Sequence, residues 1–459
     1  MNNFIAQAEA LFYDGNRRMD ANDDKGAEDY FRLALHLVPN FGEALTNLAL
    51  LRERAGAADE AETYYRRALE LLPWNAGIYL NLGSLLLKRK RLAEAEANYR
   101  KALLLEPDSP NAWSLLGAAL ACMQREEEGE RCYAQALQRD PDFARARFNL
   151  SYLLLRQGRL EEGWRHFEAR DHYRHLEAHF TCPRWRGEAL TGKTIVIGFE
   201  GGYGDLIQFS RYAALLKERG AERVTLIAHP LVASLMRSVS GVDEVLAVNR
   251  EIPVNAWDFW TPVMSLPYYF GTRLDSVPAP IPYLAADAAL AAKWAALLPP
   301  SGRRVGLSWK GNAKFENDAD RSLPALALLA PLAAPAASGG LHFVSLQKGP
   351  GEDEAHSPPP GLTLLPLGAG LQDFADTAAL VANMDLVISV DTAVAHLAGA
   401  LGKECWTLLP DYRSDWRWLS GRGDTPWYPH MRLFRQPSGG GWEPVIAAVA
   451  QALAAWKRG

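Results

Sequence analysis

The sequence predicts an all-α repeat array followed by two successive α/β halves, and three observations carry that prediction. Pro39, Pro73, Pro107 and Pro141 recur every 34 residues through the first third. At Lys193 the pattern changes to apolar runs alternating with amphipathic ones, opening on TIVIGF, EGGYGD and LIQFSRYAALLKERG. After a Pro- and Ala-rich connection, Pro278 to Pro300, the same alternation starts again. Strands that alternate with helical patterns form parallel, doubly wound sheets.

Several columns share the 34-residue interval. Ala34, Ala68, Ala102 and Ala136 form one, and Leu48, Leu82, Leu116 and Leu150 another. Small residues follow those leucines at Ala49, Gly83, Gly117 and Ser151, and Phe31, Tyr65, Tyr99, Tyr133 and Phe167 make an aromatic column. Small residues let helices approach, aromatics are expected to fill the seam between repeats, and Pro ends each second helix. The period and residue types resemble the tetratricopeptide repeat, a helix–turn–helix unit whose copies stack into a superhelix with a concave groove. A partial or capping unit to about Val38, three full repeats and a final helix pair ending near Arg170 are expected. That gives a repeat domain over 1–170 and a linker over 171–192. Asn47, Asn81 and Asn149 share one column, interrupted by Leu115. In the repeat arm of O-linked N-acetylglucosamine transferases, asparagines at this position line the groove and bond an extended peptide. The resemblance implies a shorter, broken ladder here that holds a protein acceptor; an ordinary exposed helix position is the plain alternative.

Composition narrows the classes. Of 459 residues, 48% are hydrophobic and 22% charged, as in a soluble globular protein. A net charge of −5 offers no footprint for nucleic acid. Cys122, Cys132, Cys182 and Cys405 have neither C-x-x-C pairing nor metal-ligand spacing. His172, His175 and His179 follow a helical spacing without a carboxylate or Cys to complete a ligand set, and read as a solvated or packing face. The first twenty residues lack a basic stretch before an apolar one, and no run approaches a membrane span, so a cytoplasmic location is expected.

The first α/β half, 193–298, begins with a buried strand and the turn holding Gly201, Gly202, Gly204 and Asp205. RVTLIAH, EVLAV and DFWTPV continue it. G-x-G-x-x-G is absent, and no acidic residue closes a following strand at the usual offset, which argues against a dinucleotide. Asp205 lies at the carboxyl edge of the first strand, where open α/β sheets hold their ligands, and reads as a proton acceptor or a helix cap. The second half, 299–459, contains the strands RRVGLSW, HFVSLQK, LTLLPLG and ECWTLLP, the polar loop KGNAKFENDADRSLP and the helix DFADTAALVANM. Its centre is DLVISVDTAVAHLAGALG, 385–402. Leu386 to Val390 is β-branched and apolar, as in a strand buried on both faces. Asp391 and Thr392 stop it and cap a helix from Ala393 to Leu401, which closes at Gly402. Such a helix start presents backbone N–H groups to a phosphate oxygen.

GGYGDLIQF, SWKGN, DADRSLP, SLQK and DLVISVDTAVAHLAGALG together resemble the bacterial tetratricopeptide-linked glycosyltransferases. Their catalytic half is similar to the ADP-heptose heptosyltransferases, and their domain order resembles the O-linked N-acetylglucosamine and flagellin glycosyltransferases. The resemblance covers essentially the whole chain and implies a GT-B fold, two Rossmann-like domains around a cleft. It implies Asp205 as catalytic base and Asp391, Thr392, Ala393 and His396 as the donor-binding segment. Arg321 stands where the heptosyltransferases carry a phosphate-neutralising Lys, and Lys310 about where the O-linked N-acetylglucosamine enzymes carry theirs. The histidine motif in the catalytic half of the latter is not evident, which counts against UDP-N-acetylglucosamine. The implied activity is an inverting transfer from a nucleotide-sugar co-substrate to Ser or Thr of a protein, flagellin being the example, without cofactor or metal. Asp318 and Asp320, although spaced as D-x-D, read as loop. His396 reads as a donor contact or a core histidine, and Trp416, Trp418 and Trp427 as packing. A lipid-linked or polysaccharide acceptor, or an inactive repeat scaffold, are the other functions this pattern admits.

Overall fold

The computed structural model describes residues 2–278, 280–337 and 339–456. The chain divides into two compact units, Met1–Leu153 and Leu154–Gly459.

The first unit is a run of helix pairs: Asn2–Asp20 with Asp24–Leu37, Gly42–Arg54 with Ala58–Leu71, Ala76–Lys88 with Leu92–Leu105, and Pro110–Cys122 with Glu126–Arg139. The first pair is complete, where a partial cap was expected. Helix Ala144–Arg156 carries the chain across the division. Ala34, Ala68, Ala102 and Ala136 are fully buried. Their carbonyls accept the closing N–H of Val38, Leu72 and Glu106 at 2.8 Å and of Asp140 at 3.0 Å. The prolines follow directly; without an N–H they cannot continue the helix.

The small-residue column explains the aromatic one. A Cβ on Gly83 would lie 2.6 Å from Tyr99 Cε1, and one on Gly117 2.8 Å from Tyr133 Cε1. Tyr99 and Tyr133 thus pack against the small residue of their own helix pair, while Phe31 also shares a core with Leu48 and Leu51 of the next repeat. Gly15, 2.6 Å from the Phe31 ring by the same measure, extends the column one repeat earlier. Ion pairs also bridge neighbouring repeats. Arg91 donates to Glu62 at 2.6 Å and to Glu94 at 2.6 Å; one repeat on, Arg125 donates to Glu96 at 2.6 Å and to Glu128 at 2.7 Å. These residues lie near the surface, so the pairs set register more than they stabilise.

The second unit holds two wholly parallel sheets. The first has four strands, β1 (Thr194–Gly198), β2 (Arg223–Ala228), β3 (Glu244–Ala247) and β4 (Phe259–Pro262), in the order β3-β2-β1-β4. The second has six, β5 (Arg303–Ser308), β6 (Leu341–Ser345), β7 (Leu364–Leu365), β8 (Leu386–Val390), β9 (Cys405–Leu409) and β10 (Met431–Arg435), in the order β10-β9-β8-β5-β6-β7. LTLLPLG supplies only the two residues of β7, and β10 is a strand the sequence reading lacked. Strand order reverses between β1 and β4 and between β5 and β8. Such switch points leave a crevice at the carboxyl ends. Every residue of β8 is buried, as its unbroken apolar run requires.

Residues 154–192 belong to this unit. Trp164, on helix Leu160–Phe167, is 1% exposed; its ring lies 5.2 Å from that of Trp416, and its indole N–H donates to the Thr272 carbonyl at 3.0 Å. Arg170 is buried and donates to Glu200 at 2.9 and 2.7 Å and to the Ser265 hydroxyl at 2.7 Å. The division by compactness at residues 153 and 154 is a different boundary from the end of the repeat pattern expected near Arg170.

Candidate functional site

The site is built where the helices that follow β1 and β8 meet. After β1 the chain turns through Phe199 to Gly202 and enters helix Tyr203–Phe209. Gly201 has φ +71°, and a Cβ there would lie 2.5 Å from Asp205 Oδ2, so both conformation and space require glycine. Asp205, in the first turn of the helix, reaches back to accept the Gly202 N–H at 2.6 Å. Gly204 faces the second half: a Cβ there would meet His396 Cδ2 at 2.8 Å and Ala393 Cα at 3.6 Å. The glycine turn thus also permits close approach of helix Ala393–Ala400.

Two carboxylates belong to the EGGYGD turn, and the fold separates them. Glu200 accepts from buried Arg170 and from the Met264 N–H at 2.9 Å, and serves as an internal strut. Asp205 retains 22% side-chain exposure. Its Oδ1 accepts from Arg417, a side chain only 7% exposed on the segment after β9. Arg417 also donates from Nε to Gln208 Oε1 at 2.6 Å and from Nη1 to Asp415 at 3.0 and 3.1 Å. Its guanidinium carbon lies 4.4 Å from the Trp416 ring centre.

At the end of β8, Thr392 occupies the cap position, but its side chain does not cap. The hydroxyl lies 3.2 Å from that of Ser389 instead, leaving the start of helix Ala393–Ala400 unclosed by its own side chain. Asp391 is buried; burial first, and the nearby Asp415 charge second, push its carboxyl up to about 6. The Trp418 indole, Arg321 and Arg417 pull in the opposite direction. His396 is buried, stacked 5.2 Å from the Trp418 ring, with Nδ1 3.0 Å from the Tyr428 hydroxyl. Burial, then Arg417, Arg211 and Arg321, hold it well below the usual imidazole value, so the ring is neutral.

The two expected phosphate cations are engaged by carboxylates. Lys310, just past β5, pairs with Glu354, and its backbone N–H donates to Gln347 Oε1 at 3.0 Å. Arg321, on the short helix Asp318–Arg321, donates to Asp318 at 3.2 Å and lies 4.3 Å from the Phe315 ring centre. Arg321 acts electrostatically on both Asp391 and His396. Asp205, Asp391, Thr392, Ala393, His396 and Arg321 therefore gather around one centre. The loop after Lys310 meets Arg321, since a Cβ on Gly311 would lie 2.9 Å from Arg321 Nη2. Trp416, Trp418 and Trp427 are at most 1% exposed and form its packed wall. In the first unit, Asn47 donates to Asn16 at 2.7 Å, and Asn47, Asn81 and Asn149 are all half-buried. His179 approaches the Ile252 carbonyl at 3.1 Å through Nε2. A cavity of about 690 Å³ lies at the opposite, amino edge of β9 and β10, beside Glu404, His430 and Trp456, and holds none of these residues.

The sequence reading missed Arg417, Asp415 and Gln208. Arg417 lies between Trp416 and Trp418, in a segment already marked for its aromatics. An arginine in such a run, with an aspartate two residues before it, was the available signal.

Residues 52–119 match one tetratricopeptide-repeat family model, and 14–76 and 123–169 match another. Residues 368–411, which include β8 and helix Ala393–Ala400, match glycosyltransferase family 9 (heptosyltransferase). Protein FlbA of Caulobacter vibrioides is 30% identical over 321 residues, covering 63% of this chain and 52% of its own length. The chain thus spans about half the length of that curated relative. Among solved structures, MamA is 21% identical over 34% of this chain and 91% of its own, with a TM-score of 0.31. YrrB, described as a tetratricopeptide protein with an unusual peptide-binding site, is 20% identical over 37% and 89%, with a TM-score of 0.32. The repeats, the family 9 segment and the likeness to FlbA together support a tetratricopeptide-repeat-linked glycosyltransferase.

Proposed function

We propose that the chain is an inverting glycosyltransferase of the GT-B class, its two sheets being Rossmann-like domains. It takes a sugar from a nucleotide-sugar donor and delivers it to Ser or Thr of a protein held by the repeats, a surface-appendage protein such as flagellin being the acceptor class. The observation that supports this most is the meeting of Gly204 with Ala393 and His396. It brings the Asp205 turn against a helix start left open by Thr392, inside the family 9 segment.

In this reading Asp205 takes the proton of the acceptor hydroxyl as that oxygen attacks the anomeric carbon. The nucleoside diphosphate leaves from the opposite face. Its developing charge is met by the N–H groups at Ala393 and by Arg321, with Lys310 recruited from Glu354 when the donor is bound. Neutral His396 supports the wall between the halves. Metal and cofactor have no role in this scheme.

The test is thermal unfolding with UDP, GDP, ADP and CMP. A nucleotide at a hundred times its Kd adds about 2.7 kcal/mol, enough to raise Tm measurably. Failure of all four at millimolar concentration would refute a nucleotide-sugar site.

A further inference from the structure

We infer that Arg417 is the positioning residue for Asp205, fixing the carboxylate from the opposite half of the α/β unit; this rests on the reading of Asp205 as the base. The guanidinium is held on three sides. Nη2 donates to Asp205 Oδ1, Nε to Gln208 Oε1 at 2.6 Å, and Nη1 to both oxygens of Asp415 at 3.0 and 3.1 Å. Its flat faces lie against Trp416, 4.4 Å away, and Phe209, 5.5 Å away. Asp205 and Gln208 are one turn apart on helix Tyr203–Phe209, so one planar side chain grips two points of that helix. Asp415 also accepts the Arg417 backbone N–H at 2.9 Å, which makes the grip rigid at its own end.

Only a forked cation can do this. A lysine ammonium is a point donor and cannot span Asp205, Gln208 and Asp415 together. Gln208 is fully buried and gives its Oε1 to Arg417, so the arginine orients the amide. With Gly202 N–H on Oδ2 and Arg417 on Oδ1, the carboxylate plane is set by one contact from its own turn and one from the other half.

The experiment measures turnover of the full-length protein on a panel of UDP-, GDP-, ADP- and CMP-linked sugars, beside thermal unfolding with and without the matching nucleotide. Arg417→Lys, which keeps the charge but not the fork, should lower kcat about 10²-fold with KM little changed, as expected of a displaced base. Its Tm and its nucleotide-induced rise in Tm should match those of the wild type. Wild-type kcat in Arg417→Lys overturns the inference, and so does a fall in kcat that comes with loss of the nucleotide-induced rise in Tm, which would mark a merely structural role. Near-normal turnover in Asp205→Asn removes the base reading instead, an outcome separate from either Arg417 result.

Discussion

Asp391→Asn should stabilise the α/β unit, and only above mildly acidic pH. The carboxyl is 8% exposed and titrates at about 6 in the folded chain, against 3.8 for the free side chain. Because the folded value is the higher, the folded state holds a proton that the unfolded state has lost between these two values. Stability therefore falls as pH rises from about 4 to about 6, and the full penalty persists above that. A gap of about two pH units at 1.36 kcal/mol each corresponds to about 3 kcal/mol. Asparagine keeps the shape without the charge, so its advantage should be near zero below pH 4 and approach that figure by pH 8. Urea unfolding followed by tryptophan fluorescence reads the right unit, since only Trp74 and Trp113 of the fourteen precede residue 154. A difference between variant and wild type that stays constant from pH 4 to 8, or favours wild type at pH 8, would refute the argument.

Asp205→Asn should lower turnover on a responsive nucleotide-sugar by about 10²–10⁴-fold with little change in donor affinity, because the amide cannot accept the proton; a kcat within twofold of wild type would strike Asp205 from the catalytic list. A chain of residues 140–459 should fold and bind nucleotide but fail to modify an intact protein acceptor, and acceptor turnover equal to that of the full chain would exclude recruitment by the repeats. Residues 193–459 should instead be unstable by about 3–5 kcal/mol, because removing Arg170 strands the buried Glu200; a cooperative melt like that of 140–459 would contradict this. Asn81→Ala with Asn149→Ala should weaken acceptor binding, measured by calorimetry, and leave nucleotide binding alone, whereas unchanged acceptor affinity would return both residues to ordinary surface positions.

The repeats were legible because each carries its instructions locally. A buried alanine, a small residue opposite an aromatic and a helix-ending proline act within one helix pair, and translation by 34 residues repeats them. Period alone does not distinguish the neighbour within a pair from the neighbour in the next repeat, and Phe31 meets both, Gly15 in its own pair and Leu48 and Leu51 in the next. The α/β strands were equally readable where apolar runs were long, as in β1, β5 and β8. β7 shrank to two residues, and β10 went unseen within MRLFR, where charge alternates with apolar side chains.

The site divides along the same physical line. Sequence alone marked which turns are candidates for chemistry, because a strand followed by glycines, or by Asp-Thr and a helix, imposes its own backbone geometry. It also placed Asp391 and Thr392 directly after β8, and Asp205 and His396 in the helices that follow β1 and β8, on the side where parallel sheets place ligands. Only the tertiary structure decided which carboxylate of EGGYGD is a strut and which faces the site, since Arg170 and Arg417 reach Glu200 and Asp205 from 30 and 212 residues away. The pairing of Lys310 with Glu354, the lowered affinity of His396 for protons and the raised value of Asp391 were likewise settled by burial and by charges brought from other elements. Those are long-range effects of packing, and no local pattern encodes them.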